Sequence, residues 1–134
     1  MTELNRWSPQ ALGFLRIVAA LLFMEHGLMK LLDFPAPQPG VPDPLPMILI
    51  IAGVIEVIGG ALIAVGLGTR IAAFICSGEM AAAYFMYHFP HSFWPGLNEG
   101  DAAILFNLIF FYLVFAGPGA WSVEGLLNRP VPAD

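Results

Sequence analysis

Ionisable side chains gather near the end of an otherwise apolar run, where residues 24–30 read MEHGLMK. Glu25, His26 and Lys30 lie in this stretch, and Arg16 lies about two to three helical turns earlier. At about 100° per residue, Arg16, His26 and Lys30 share one helix face, whereas Glu25 points to the opposite side. Because charges are costly in apolar surroundings, this pattern indicates a paired or functional cluster.

Two further carboxylates, Glu56 and Glu79, lie in the middle of separate apolar runs. At about 1.5 Å per residue, they and Arg16 lie at similar depths from one end of the predicted helices. We therefore expect a buried Arg16–Glu56–Glu79 triad. It either fixes helix packing or acts as a proton relay, since two carboxylates outnumber one guanidinium, and both interpretations stay open. Small residues beside both carboxylates, among them Gly59 and Gly78, predict close approach of neighbouring helices.

A second polar layer is expected near the opposite end, and three interpretations compete for it. The first is interfacial side chains that reach water. The second is a pocket for a small polar or quinone-like head group, with His26 and Lys30 as hydrogen-bond donors. The third is a metal site from His26, His88 and His91 with a carboxylate, the last two histidines being part of the stretch HFPH. The candidate ligand-binding residues are His26, Lys30, Tyr84, His88, Trp94, Asp101 and Tyr112.

The composition excludes several classes of protein. Of the 134 residues, 58% are hydrophobic and only 11% are charged, which is too little polar surface for a water-soluble domain. Five Lys and Arg residues spread along the chain cannot form a phosphate track, so no nucleic-acid partner is expected. The single cysteine, Cys76, excludes an intrachain disulfide and a cysteine-ligated iron–sulfur cluster. We expect a membrane protein whose surroundings are the lipid bilayer.

Four apolar segments, about residues 9–32, 45–67, 71–89 and 101–116, position these side chains. Each is long enough to cross about 25–30 Å of hydrocarbon, and residues 117–134 form a short interfacial tail. The sequence therefore predicts a single all-α domain, an integral membrane four-helix bundle. Arg6, Arg70 and Arg129 fall on one side of it, which predicts that both termini face the cytoplasm, an N-in and C-in topology.

Three motifs in this order resemble the DoxX family of small bacterial membrane proteins. They are HGLMK, EVIGGALIAVGLGTR and GPGAWSVEG, and the resemblance extends from about residue 12 to residue 125. It implies a four-span helical bundle in the bacterial inner membrane and redox work, because related DoxD-type proteins are membrane subunits of thiosulfate:quinone oxidoreductases. Ala120 and Glu124 depart from the family ending, which commonly has a basic residue and an aspartate there. The positions that match the family motifs are His26, Gly27, Lys30, Glu56, Gly59, Gly60, Gly117, Pro118, Gly119 and Ser122.

The resemblance and the polar layers lead to one functional hypothesis. We expect a membrane subunit of a respiratory or stress-related oxidoreductase system, with a quinone or a small sulfur compound bound at the outer layer. Lys30 and His26 would hydrogen-bond the ligand, and Glu56 and Glu79 beside Arg16 would carry protons. Electrons would come from a soluble or membrane redox partner, and whether the chain is itself an enzyme stays open. The alternatives are a small-molecule transporter or permease-like homo-oligomer, and a structural membrane anchor.

Overall fold

The computed structural model describes residues 2–128, and this part of the chain is helical with no β-strand. The all-α prediction is confirmed. Arg129, one of the arginines used to predict the topology, lies outside the described residues. The helices are α1 (Thr2–Asn5), α2 (Ser8–Leu32), α3 (Met47–Val65), α4 (Thr69–Ala83) followed by a π-helical turn (Tyr84–His88), α5 (Pro95–Asn98), α6 (Asp101–Ala116) and α7 (Val123–Leu127).

Local chemistry accounts for where the long helices begin and end. Pro9 lies in the first turn of α2, where a missing backbone N–H costs nothing. Gly66 ends α3 with a left-handed φ of 71°, and the N–H of Leu67 donates to the carbonyl of Leu62 at 3.0 Å. The connection from α2 to α3 contains six prolines between residues 34 and 46 and lacks helix.

The four long helices form two pairs, α2 with α3 and α4 with α6, which pack against each other. Their shared core contains the fully buried Phe23, Ile63, Phe110 and Leu113. Phe23 makes an edge-to-face contact with Phe110, with ring centroids 4.8 Å apart. The core fills the middle of the bundle and separates its two ends.

Large apolar side chains cover much of the outer surface of the bundle. Within the described residues, α2 and α3 are long and apolar enough to cross a membrane, yet only 33% and 28% of their apolar windows are buried. Helix α6 is a shorter apolar helix. Large apolar side chains therefore face outward along the bundle, as expected where lipid replaces water as the solvent. Exposed examples are Phe14, Leu21, Ile51, Ile58, Phe74, Leu105, Leu108 and Phe115.

Candidate functional site

Arg16 is fully buried, but the predicted triad with the two carboxylates is wrong. Its guanidinium donates to the carbonyl oxygens of Pro118 at 2.6 Å and Trp121 at 2.8 Å. The segment after α6 turns back beneath α2 and presents backbone acceptors to the arginine. Depth counted along separate helices could not reveal this, because the competing partner is backbone from a loop. Arg16 is therefore a structural residue at the end of the bundle that carries the α3–α4 turn, which we call the turn end.

Glu56 is instead paired with Lys30, so the two predicted polar layers meet in one site. The Lys30 ammonium donates to both Glu56 carboxylate oxygens, at 2.6 and 2.7 Å. The side chains are 9% and 1% exposed, respectively. The long lysine stem lets a residue near the end of α2 place its charge deeper in the bundle. The result is a desolvated ion pair between α2 and α3.

Glycines bring α2 and α3 close enough for this pairing. A Cβ at Gly27 would lie 2.7 Å from the Gly53 carbonyl oxygen and 2.8 Å from the Glu56 Cβ. On the other side of α3, Gly59 lies against the Cys76 thiol of α4. The predicted role of small residues is confirmed at these positions. At Gly78 it is wrong for the described chain, because a Cβ there would meet nothing within 4 Å.

A cavity of about 740 Å³ opens beside the Lys30–Glu56 pair, at the end of the bundle formed by the loops of residues 33–46 and 89–100. We call this the cavity end. The volume lies within the range of about 300–1,000 Å³ typical of small-molecule sites. Phe23, Met80 and Phe106 provide apolar walls. The polar lining residues are His26, Lys30, Gln38, Glu56, Glu79, His88, His91, Asn98 and Glu99.

Glu79 lines the same cavity as Glu56 but has a different environment. Its Oε2 atom is buried and has no hydrogen-bond partner among the described residues. Gln38 also lines the cavity, and its Oε1 is buried and unpartnered in the same part of the chain. Buried polar atoms are nearly always hydrogen-bonded, by water or a ligand if not by protein. These two oxygens are therefore the buried acceptors of the cavity wall that can still take a hydrogen bond from water or a bound molecule.

The three histidines predicted as metal ligands all line the cavity, but they do not form a metal site. No group of three or more His, Cys, Asp or Glu side chains within residues 2–128 is arranged to hold a metal ion. His26 Nδ1 lies 2.8 Å from the Leu22 carbonyl oxygen, and His88 Nδ1 lies 2.9 Å from that of Asn98. Because a carbonyl only accepts, each Nδ1 carries a proton, and Nε2 of the neutral ring is an acceptor. The Nδ1 proton of His26 is therefore already engaged by the Leu22 carbonyl, and Nε2 is the ring nitrogen left to contact a ligand.

Four predicted ligand-binding residues lie outside the cavity. Trp94 and Tyr112 are exposed on the outer surface, and Asp101 is exposed at the start of α6. Tyr84 stacks on the His88 ring, with centroids 6.3 Å apart. Its hydroxyl oxygen accepts a hydrogen bond from the Asn98 amide at 3.4 Å, so it supports the wall from behind. These four side chains therefore do not join the other predicted residues at the cavity, since helical periodicity does not say which aromatic residues face inward.

A family profile described as DoxX matches residues 11–89, more than half of the chain. The chain belongs to the DoxX family. This confirms the resemblance in the first two motifs, whereas GPGAWSVEG lies beyond the matched residues. The chain is thus a member of a family of membrane proteins.

Relatives of this DoxX protein are bacterial and carry general names. An uncharacterized protein of Haemophilus influenzae is 45% identical over 131 residues, covering 92% of this chain and 96% of the relative. The inner membrane protein YqjF of Escherichia coli is 31% identical, covering 85% and 89%. The uncharacterized membrane protein Rv3486 of Mycobacterium tuberculosis is 26% identical, covering 97% and 89%. No solved structure matches the chain.

The closing motif of this DoxX protein, GPGAWSVEG, holds the turn end together. The N–H of Ala120 donates to the Pro9 carbonyl at 2.8 Å, which ties the motif to the start of α2. Glu124 accepts a hydrogen bond from the Thr69 N–H at 2.6 Å and so caps the first turn of α4. Its own N–H donates to the Gly66 carbonyl at 3.0 Å. Here Glu124 therefore fills the role of a helix-capping carboxylate.

Two residues important for the site were missed by sequence reasoning. Gln38 and Asp43 are the polar side chains within the proline-rich loop, which was an available signal, and Gln38 is the one that lines the cavity. Asn98 had no such signal. It is buried, donates to the Ser92 carbonyl at 2.8 Å, and accepts from the Gly100 N–H at 2.8 Å. It organises the loop that forms one rim of the cavity.

Proposed function

We propose that this DoxX protein binds the polar head of a membrane-soluble quinone in its cavity, as the membrane subunit of an oxidoreductase system. The observation that carries the proposal is the Lys30–Glu56 pair beside the unpartnered Glu79 oxygen, in a cavity with otherwise largely apolar walls. The electrons for reduction or oxidation would come from a partner protein.

The chemistry of a quinone matches this set of groups. A quinone carbonyl oxygen accepts hydrogen bonds, and the Lys30 ammonium is a charge-assisted donor at the cavity wall. Reduction to the quinol takes up two protons with two electrons, and a buried carboxyl group such as Glu79 is suited to pass a proton. Phe23 and Phe106 contribute apolar wall beside these groups, which suits the hydrocarbon part of a quinone ring.

The arrangement supports ligand binding more than transport. A transport route would connect the polar groups at the cavity end with those at the turn end. Between them lie Phe23, Ile63 and Phe110, all fully buried in the core. This closed section supports a site that does not continue to the turn end. A small sulfur compound is the second ligand class for the same cavity, but it would not use the apolar walls.

The proposal includes a four-span arrangement in the bacterial inner membrane with both termini in the cytoplasm. The apolar outward faces of the long helices support it, as does the inner membrane name of the E. coli relative. Arg70 lies at the turn end, where it donates to the carbonyls of Val114 and Phe115, both at 2.6 Å. A basic residue at this end agrees with a cytoplasmic turn end and a periplasmic cavity end.

The test is quinone retention by protein purified in mild detergent, measured by solvent extraction and mass spectrometry. The informative variant is the double substitution Lys30→Met with Glu56→Leu, which removes the donor without leaving a buried charge unpaired. We expect it to retain at least about tenfold less quinone than the wild type, the effect of losing one charged hydrogen bond. Tyr112→Leu, on the exposed face of α6, is the matched control and should retain the wild-type amount.

The alternatives give different results in the same experiment. A structural anchor predicts folded wild-type protein with no extractable ligand, and that outcome would end the quinone proposal. A quinone that the double variant retains as well as the wild type would mean that Lys30 does not contact it. A sulfur compound in place of a quinone would appear in the same mass spectra.

A further inference from the structure

The cavity lies where α3 and α4 no longer touch closely. Towards the turn end the two helices are in contact at Gly59 and Cys76. The lining residues of α3 all lie between residues 48 and 56, and those of α4 and its π-helical turn lie between 79 and 88. The space between the two helices therefore begins at the level of the two carboxylates and continues to the cavity end.

The side chains that border this gap face both the cavity and the outside of the bundle. Ile51 on α3 and Met86 on the π-helical turn line the cavity, yet they are 54% and 53% exposed. Ile48 and Ala82 also line the cavity and are exposed. All four are apolar, and they share the outward direction of the lipid-facing residues of their helices. A gap with an apolar rim at this position opens sideways, into the hydrocarbon region.

The rim formed by the two loops has a different character. Gln38, His91 and Glu99 bring polar groups to the cavity there, beside the apolar Val41 and Leu97. The cavity thus has an aqueous side at the loops and an apolar side between α3 and α4. A ligand that satisfies both the polar lining and the apolar gap has a polar head and a hydrocarbon tail.

We propose that the gap between Ile48–Ile51 of α3 and Ala82–Met86 of α4 and its π-helical turn is a lateral portal, through which the tail of the bound ligand extends into the bilayer. This inference rests on the proposed quinone function, and it specifies the ligand class as long-tailed. The head lies near Lys30 and Glu79, the tail passes over Ala82, and the ligand enters and leaves through lipid rather than through the loops.

The test compares two probes that share a head group, decylubiquinone with a ten-carbon tail and ubiquinone-0 without one. Binding is measured by equilibrium titration of purified protein. Ala82→Trp adds a bulky side chain to the portal, and Leu108→Trp adds one to the exposed face of α6 away from the cavity. We expect Ala82→Trp to weaken decylubiquinone binding at least about tenfold, which is the effect of roughly two methylene groups of the tail losing contact with the protein. Binding of ubiquinone-0 should be unchanged. Leu108→Trp should affect neither probe.

Each other outcome overturns the portal in a distinguishable way. Equal loss of both probes in Ala82→Trp would mean that position 82 belongs to the head-group site. Unchanged binding of both would mean that the tail leaves elsewhere. Met86→Trp, on the same rim, should repeat the selective loss and guards against a folding defect in the first variant. A wild type that binds neither probe would overturn the quinone function itself.

Discussion

At the scale of single residues, the Lys30–Glu56 pair combines stability with chemistry. Both side chains are nearly inaccessible to solvent, and the ammonium contacts both carboxylate oxygens. Because each charge compensates the other in a desolvated site, removing one leaves the other unpaired and costly. The pair therefore holds α2 against α3 and at the same time places a strong donor on the cavity wall.

This pairing predicts strongly non-additive substitutions. Lys30→Met alone and Glu56→Leu alone should each lower the free energy of unfolding by about 3–5 kcal/mol, whereas the double variant should cost much less than their sum. The measurement is a double-mutant cycle by reversible unfolding in mixed micelles. Tyr112→Leu is again the control, since that side chain is exposed and outside the cavity. Additive effects of the two single substitutions would show that the pair does not couple the helices.

Arg16 illustrates at the same scale what the sequence could and could not predict. Arg16 lies in an apolar run, which predicted that it would be buried and would need partners. It is fully buried. Its partners are carbonyls of residues 118 and 121, in a loop about a hundred positions away. Backbone acceptors have no sequence signature. Glu56 and Glu79, which lie at a similar depth, were therefore predicted as the partners of Arg16. The same limit hid the roles of Asn98 and Gln38 at the cavity.

At the scale of elements, the sequence predicted the helices well, because the length of an apolar run directly indicates a helix. The direction in which each side chain faces was harder to predict. The runs beginning at residues 9 and 101 correspond to helices Ser8–Leu32 and Asp101–Ala116. Nothing in the sequence indicated that α4 would continue as a π-helical turn at Tyr84–His88. The wider turn changes which of the following side chains face the cavity, and Met86, Tyr87 and His88 line it.

The α2–α3 contact yields a prediction with a matched control. At Gly27 a new methyl group would meet the Gly53 carbonyl and Glu56 at under 3.0 Å, whereas at Gly78 it would meet nothing within 4 Å. Gly27→Ala should therefore force α2 away from α3 and weaken ligand retention. Because overpacking costs about 1–3 kcal/mol of stability, the melting temperature in detergent should fall by several degrees.

Gly78→Ala should keep the wild-type melting temperature or raise it slightly, because alanine favours helix by up to about 1 kcal/mol. Thermal unfolding of the three proteins in the same detergent is the measurement. Equal destabilisation by both substitutions would contradict the close contact at Gly27, and would indicate that the exposed face at Gly78 is covered by another molecule in solution.

At the scale of the whole molecule, the two ends of the bundle have separate tasks. The turn end is closed by the final motif of this chain, GPGAWSVEG, which hydrogen-bonds to α2, to the α3–α4 turn and to the first turn of α4. The cavity end has long loops, the ionisable groups and the open space. The core of Phe23, Ile63 and Phe110 keeps them apart. Substitutions in the final motif should thus act on stability alone, whereas substitutions around the cavity should also act on binding.

The proposed topology assigns these ends to opposite sides of the membrane, and it can be tested with single added cysteines. Gly96→Cys lies in the loop of the cavity end, at an exposed position with open space around it. Glu3→Cys lies in the exposed α1 at the other end. A membrane-impermeant maleimide applied to intact spheroplasts should label Gly96→Cys at once and label Glu3→Cys only after permeabilisation. The natural Cys76 is fully buried and should stay unlabelled, which makes the wild type the background control. Labelling in the reverse order would put the cavity on the cytoplasmic side, and any redox partner would then have to be sought there.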